Sequence, residues 1–443
     1  MRNRLASSAV VAAILLAAVS AFPQNRTDRW VTTWGTALVA RPQAPPAVQT
    51  QAPAPQAAAP AAQGAAAAPP APAPLPTFSN QTLRQIVHTS IGGDRVRVTL
   101  SNAFGSVPLE IGAASIALRD KDSAIVERSV KRLTFSGSAG MTIPAGAVAL
   151  SDSLDLQVPS LTDLAVDVYL PGEVAAAMSP YTMHQGANQT SYISGPGNHA
   201  GMAALPVAST TPSWFLLARV DVAAAGPMAT IVAFGDSITD GSRSTINANS
   251  RWPDQLARRL NAGGNGARAA VVNAGIAGNR VLSDGAAQVG VNALARFDRD
   301  VLLQPGVTHV VVMEGINDIG QARQNPSPSA ADLIAAHKQF IERAHARGLR
   351  IYGATLTPFE GAAYWTAEGQ AKRDALNQWI RTSRAYDGVI DFDAVVRDPN
   401  APTKFNPQYD SGDDLHPNDA GYQAIGNAVD LSLFTGAVSP ATR

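Results

Sequence analysis

The hydrophobic pattern of this chain changes period near Pro227, and that change limits the fold more than any other feature. Beyond it, Thr230 to Phe234, Ala269 to Val272, Thr308 to Met313, Arg350 to Ala354 and Gly388 to Phe392 are short, mostly continuous apolar runs. Each suits a strand covered on both faces. Helix-like stretches follow them at Trp252 to Leu260, Ala293 to Leu303, Ala330 to Arg347, Ala371 to Arg384 and Asn418 to Phe434. This alternation predicts an α/β domain over 227–436 built on a doubly wound parallel sheet, whose functional groups gather at the carboxyl ends of the strands.

Before Pro227 the period is two. Arg95-Val96-Arg97-Val98-Thr99-Leu100 alternates polar and apolar side chains, and similar runs recur at Ile111 to Leu118, Ser129 to Phe135, Ala147 to Val158 and Leu164 to Leu170. Gly92-Gly93, Ser136-Gly137 and Pro171-Gly172 punctuate them, so residues 77–225 read as an all-β, sandwich-like domain with frequent turns. Asn188-Gln189-Thr190 fits a glycosylation sequon, a pattern common by chance, and no role is assigned to it. Residues 42–76 are almost entirely Ala, Pro and Gln without a charge, the composition of a linker that cannot offset the entropy of ordering. Ahead of the linker, Arg29-Trp30-Val31-Thr32-Thr33-Trp34-Gly35 has β-type residues and is expected to dock as a strand on one of the folded units.

At the N-terminus, Met1-Arg2-Asn3-Arg4 precedes an Ala/Val/Leu-rich stretch and Val19-Ser20-Ala21. A positive start, an apolar core and small residues before a cut make residues 1–21 a signal peptide cleaved after Ala21. An uncleaved anchor is the alternative. The expected location is secreted or periplasmic, with no stable membrane span after cleavage. The 34 basic and 34 acidic side chains balance, which leaves no overall positive field for nucleic acid. No cysteine occurs, so disulfides, thiolate metal sites and a thiol nucleophile are all excluded. Covalent chemistry must use oxygen or nitrogen.

The first strand of the α/β domain ends in Gly235-Asp236-Ser237-Ile238-Thr239-Asp240-Gly241, which places a serine where the chain turns into a helix. There a hydroxyl is exposed and peptide N–H groups point outward. Thr239 occupies the second glycine position of the Gly-x-Ser-x-Gly elbow, so that motif is absent. The second strand runs into Asn273-Ala274-Gly275-Ile276-Ala277-Gly278-Asn279, the third into Glu314-Gly315-Ile316-Asn317-Asp318, and Asp413-Asp414-Leu415-His416-Pro417 precedes the last helix. A serine, a glycine loop, an amide and an acid-histidine pair thus converge on one sheet edge.

These four blocks, in this order, resemble the SGNH hydrolases, also called GDSL esterases and lipases, over about Ala229 to Phe434. The resemblance implies a flavodoxin-like sheet, Ser237 as nucleophile, and Asp413 and His416 as the rest of a catalytic triad. It implies an oxyanion hole from the N–H groups of Ser237 and Gly278 and the side chain of Asn317. The third block has one glycine where many members have two, which leaves Asn317 in place. The β-rich segment is similar to that of a subset of secreted bacterial members.

The expected activity is hydrolysis of carboxylic esters through an acyl-enzyme, with no metal and no cofactor, on short acyl groups such as O-acetyl on carbohydrate. The substrate is a small-molecule or polysaccharide ester. Two alternatives are a long-chain lipase or acylhydrolase, and a glycan-binding protein whose α/β domain is an inactive scaffold. Oligomeric state is not legible. His88, His184, His199, His309, His337 and His345 lack a neighbouring constellation, and His337 and His345 read as surface or packing residues on a helix. Asp414 is a less favoured orienting acid than Asp413, Asp236 is expected to fix the nucleophile loop, and Arg280 and Glu314 are expected to meet substrate or to form salt bridges. Tyr364 and Trp365 either line a subsite or pack in the core.

Overall fold

The computed structural model describes residues 29–42, 75–224, 228–262, 269–321 and 327–435. The expected signal peptide and all but the ends of the expected linker lie outside the described residues. Five strands form the parallel sheet: β1 (Ala229–Gly235), β2 (Ala269–Gly275), β3 (Val307–Met313), β4 (Arg350–Ala354) and β5 (Gly388–Ile390). Their order is β2-β1-β3-β4-β5, the doubly wound, flavodoxin-like arrangement. β1 lies between β2 and β3, with Phe234 level with Ala274 and Val312. That position explains its continuous apolar run, because Ile231, Val232, Ala233 and Phe234 are all fully buried.

The longer helices among the described residues are α1 (Trp252–Asn261), α2 (Ala330–His345), α3 (Ala367–Thr382) and α4 (Asp419–Ala428). Two expected long helices are broken. The stretch from Ala293 is α-helical to Phe297 and then widens into a π-type turn, Asp298–Leu302. The last ends at Ala428 because Val429 is extended (φ −66°, ψ 120°), and a short 3-10 turn, Leu431–Phe434, follows.

Ahead of this domain, strands Leu217–Ala224, Gly93–Ser101 and Leu154–Val158 form an antiparallel sheet, with Val148–Leu150 beside Gly93–Ser101. A second, six-stranded sheet centres on Phe78–His88 and Asp163–Val174. Val96, Val98 and Leu100 of the first and Leu83, Val87, Leu164, Val166 and Val168 of the second share one core, which makes the pair a sandwich. The turn expected at Pro171-Gly172 is instead an irregularity inside Asp163–Val174, where the register shifts between Leu170 and Glu173. Proline interrupts the ladder but keeps the chain extended.

Phe78–His88 was not legible as a strand because its middle carries Arg84 and Gln85. Arg84 pairs across the strands with Asp167, Nε to Oδ1 at 2.7 Å and a terminal nitrogen to Oδ2 at 2.8 Å, with both side chains buried. The same guanidinium donates to the carbonyls of Ser123 and Met202, pinning two loops to the outer face of the sheet.

Arg29–Gly35 docks on both units. It pairs antiparallel with Leu217–Ala224, and Thr32 N–H donates to Pro305 O (3.2 Å) beside the parallel sheet. Ser90 of the β-rich region accepts from Val271 N–H (3.0 Å), covering the outer edge of β2, which would otherwise present an open template for pairing.

His337, expected at a surface or in packing, is fully buried on α2, facing Tyr386 Oη (2.6 Å) through Nδ1 and Glu314 O (3.2 Å) through Nε2. Nε2 donates to the carbonyl and Nδ1 accepts from the phenol, so the ring is held neutral, and burial lowers its pKa to about 4. The unfolded chain, with an imidazole near 6.5, takes up this proton first. The stabilising effect is therefore complete above about pH 6.5 and is lost as pH falls toward 4, to the extent of about 3 kcal/mol. In His337→Gln, urea unfolding between pH 7 and 4 is expected to show a pH dependence shallower by about that amount.

Candidate active site

Ser237 opens a single helical turn, Ser237–Asp240, directly after β1. Asp236 caps the turn by accepting from Ile238 N–H at 3.0 Å, so it does fix the nucleophile loop through the backbone. Gly235 leaves no room for a side chain, since a Cβ there would meet Thr239 Oγ1 at 2.2 Å. Ser237 Oγ lies 2.9 Å from His416 Nε2, and His416 Nδ1 lies 2.9 Å from Asp413 Oδ2. A loop 179 residues downstream thus completes a hydroxyl-imidazole-carboxylate chain.

The acid is well held. Asp413 Oδ1 accepts from the backbone N–H groups of His416 (2.9 Å) and Leu415 (3.2 Å), and its Oδ2 also accepts from Arg243 Nε (3.1 Å). Burial works against ionisation, but the hydrogen bonds from the His416 ring and backbone outweigh it and hold the carboxyl down to about 2. Asp414 points elsewhere, with its carboxyl against Gly361.

The other two expected residues sit on the same edge. Gly278 has φ +76°, and a Cβ there would meet Val289 Cγ1 at 2.6 Å, so both backbone and space require glycine. Asn317 follows β3 on a short helix and donates one amide hydrogen to Asn279 O at 3.0 Å, which leaves its second N–H for a ligand.

Arg296 was not recognised in the sequence. Its side chain is fully buried, and its five N–H donors meet five acceptors. These are Asn279 Oδ1 (2.7 Å), Ala274 O (2.8 Å), Gly235 O (2.8 Å), Glu314 Oε1 (3.0 Å) and Asp300 Oδ2 (3.3 Å). One guanidinium therefore ties together the ends of β1, β2 and β3. Glu314 is fully buried in this pair, the salt-bridge alternative of the two expected for it. Asp318 accepts from the N–H groups of Val281 (2.8 Å) and Leu282 (3.0 Å), fastening the Gly278 loop to the Asn317 helix. Burial raises Asp318 to about 6 and Asp236 to about 7, and it raises Glu314 as well.

A lone arginine in a helix-like stretch gave no sign of this role, since all its acceptors except Asp300 come from segments 17 to 61 residues away. Arg280 is nearly buried, with a long contact to Gln321 Oε1 (3.4 Å). Tyr364 and Trp365 pack against the main core, and Tyr364 lies over Gly320, next to the Asn317 helix.

The fold is that of a doubly wound α/β domain, and one edge of its sheet brings Ser237, His416, Asp413, Gly278 and Asn317 together. Residues 233–424, within the α/β domain, match the model of the GDSL-like lipase/acylhydrolase family. Similar solved structures include a carbohydrate acetylesterase family member from Sinorhizobium meliloti, at 20% identity over 45% of this chain and 95% of that one, with a TM-score of 0.37. The M. smegmatis aryl esterase matches at 16% identity over 45% and 95%, TM-score 0.36. A GDSL-like lipase from Bacteroides thetaiotaomicron matches at 20% over 45% and 84%, TM-score 0.33. No curated protein matches the chain.

Replacing Arg296 by Met is expected to destabilise the protein by about 3 to 5 kcal/mol in urea unfolding, because it strands the buried Glu314 carboxyl without its ion-pair partner.

Proposed function

We propose that the protein is an exported serine esterase that hydrolyses carboxylic esters through a Ser237-His416-Asp413 triad. The observation that carries this reading is the unbroken hydrogen-bonded chain from Ser237 Oγ through both ring nitrogens of His416 to Asp413, at 2.9 Å for each step. A serine hydroxyl is a weak nucleophile near neutral pH, so a base must take its proton as the Oγ–C bond forms. His416 is placed to do so through Nε2, while ionised Asp413 at Nδ1 sets the tautomer and stabilises the imidazolium.

The tetrahedral oxyanion would be met by the N–H groups of Ser237 and Gly278 and by the free amide hydrogen of Asn317. His416 then protonates the departing alcohol, leaving the acyl group on Ser237. Water, deprotonated by the same ring, attacks this ester, and its collapse releases the acid and restores the serine.

Short acyl groups, such as O-acetyl on carbohydrate, fit the site better than long chains. A lipid-handling site needs an extended apolar groove at its mouth. Among the described residues, the loops beside the triad present Arg243, partly exposed Asp413 and one exposed large apolar side chain, Ile246. Export rests on the leader-like residues 1–21; no helix among the described residues is long and apolar enough to cross a membrane.

Hydrolysis of p-nitrophenyl esters from acetate to palmitate tests the reading. The expected rate depends on Ser237, vanishes in Ser237→Ala and falls steeply beyond butyrate; Asn317→Ala is expected to lower kcat by about 100- to 1000-fold. A rise toward palmitate would favour a lipase, and the absence of Ser237-dependent turnover on any ester would overturn the hydrolase reading.

A further inference from the structure

We propose that the β-rich region supplies a positioning residue to this site: His184, acting through Asp240, holds the Ser237 turn and the Gly278 loop in register. The catalytic meaning of this rests on the esterase reading above, whereas the contacts do not. His184 ends the strand Tyr181–His184 and is 3% exposed. Its Nδ1 faces Ala37 O at 2.8 Å and its Nε2 faces Asp240 Oδ1 at 3.0 Å. A carbonyl only accepts, so Nδ1 carries a hydrogen. The other ring nitrogen faces a carboxylate, so a proton must lie between Nε2 and Oδ1 as well. The result is a buried, charge-assisted bond between the two parts of the chain.

Asp240 is the fourth residue of the turn that starts at Ser237, and its N–H donates to Asp236 O at 2.9 Å. Its second oxygen, Oδ2, accepts from Ala277 N–H at 3.1 Å, one residue before Gly278. One carboxylate therefore touches the nucleophile's turn, the loop carrying the proposed oxyanion donor, and the β-rich region. The packing is close: a Cβ on Gly275 would meet Asp240 N at 2.2 Å.

The residues after His184 grip the other end of the same turn. Asn188 Nδ2 donates to Gly241 O (2.7 Å), Asn247 N–H donates to Asn188 O (3.0 Å), and Arg251 donates to Ala187 O. The Asn188 amide is thus committed to the Ser237 turn. An oxyanion donor must sit within a few tenths of an ångström of its place. Without His184, Asp240 is free to turn away from Ala277 and the Gly278 loop loses its lateral support.

The test uses the full chain with His184→Ala and His184→Gln. On p-nitrophenyl acetate, well below the unfolding midpoint, the expected loss is ten- to a hundredfold in kcat with KM within twofold, partly recovered in the Gln variant, which can still donate to Asp240. Normal kcat per folded molecule, with only a lowered midpoint, would overturn the proposal and make the pair simple interface glue. Backbone amide NMR of the wild type and of folded His184→Ala gives a readout independent of turnover. Shifts at Ala277 and Gly278 are expected, and unmoved resonances would overturn the proposal. If the wild type hydrolyses no ester, the esterase reading fails, and these amide shifts still decide whether His184 holds the loop.

Discussion

The site depends on one buried cation. The carboxyl ends of three adjacent parallel strands bring backbone carbonyls and the buried Glu314 carboxyl together, and these ends must also hold Ser237, the Gly278 loop and the Asn317 amide at fixed separations. Arg296 answers both needs, because its planar fork reaches Gly235 O, Ala274 O and Glu314 at once and continues to Asn279. Asn279 in turn accepts from Asn317, so the amide proposed to face the oxyanion is two hydrogen bonds away from the guanidinium. The ring of Phe234 under the cation, 4.1 Å from its centre, closes the remaining face.

Around that cation the floor of the site is acidic and buried. Asp236, Glu314 and Asp318 are nearly or fully buried, and burial favours their neutral forms. Asp413, by contrast, is partly open to solvent and held ionised by the histidine it serves. Carboxyls of the same chemical type are thus separated into buried groups beneath the sheet edge and one partly open group, Asp413, against the His416 ring. Against the flank of the same turn, the β-rich region contributes the segment from His184 to Thr190, which makes it continuous with the site's architecture.

The α/β layer was legible because both faces of its sheet are covered, so strands such as Thr308 to Met313 stand out as unbroken apolar runs. The candidate residues were legible because Ser237, Gly278 and Asn317 lie in short motifs after strand ends and Asp413 and His416 in one just before the last helix. The supporting groups were not. Arg296 and Asp318 act on backbone atoms far away in the chain, and His184 becomes meaningful only once a strand of the sandwich is brought against Asp240. Phe78–His88 was missed for a related reason: a buried Arg84 breaks the apolar alternation, and its partner Asp167 lies 83 residues away. Pro171-Gly172 misled in the other direction, since a local turn signal was overridden by the pairing of a long strand.

The central claim is that Ser237 is a nucleophile made reactive by His416 and faced by an oxyanion hole. Treatment with a p-nitrophenyl alkylphosphonate tests it most directly, because such a reagent reproduces the tetrahedral geometry and stays attached. The account predicts release of one p-nitrophenol per molecule and a single phosphonyl adduct, located by peptide mass spectrometry on Ser237 and absent in Ser237→Ala. An adduct on another residue, or none at all in folded protein, would contradict it.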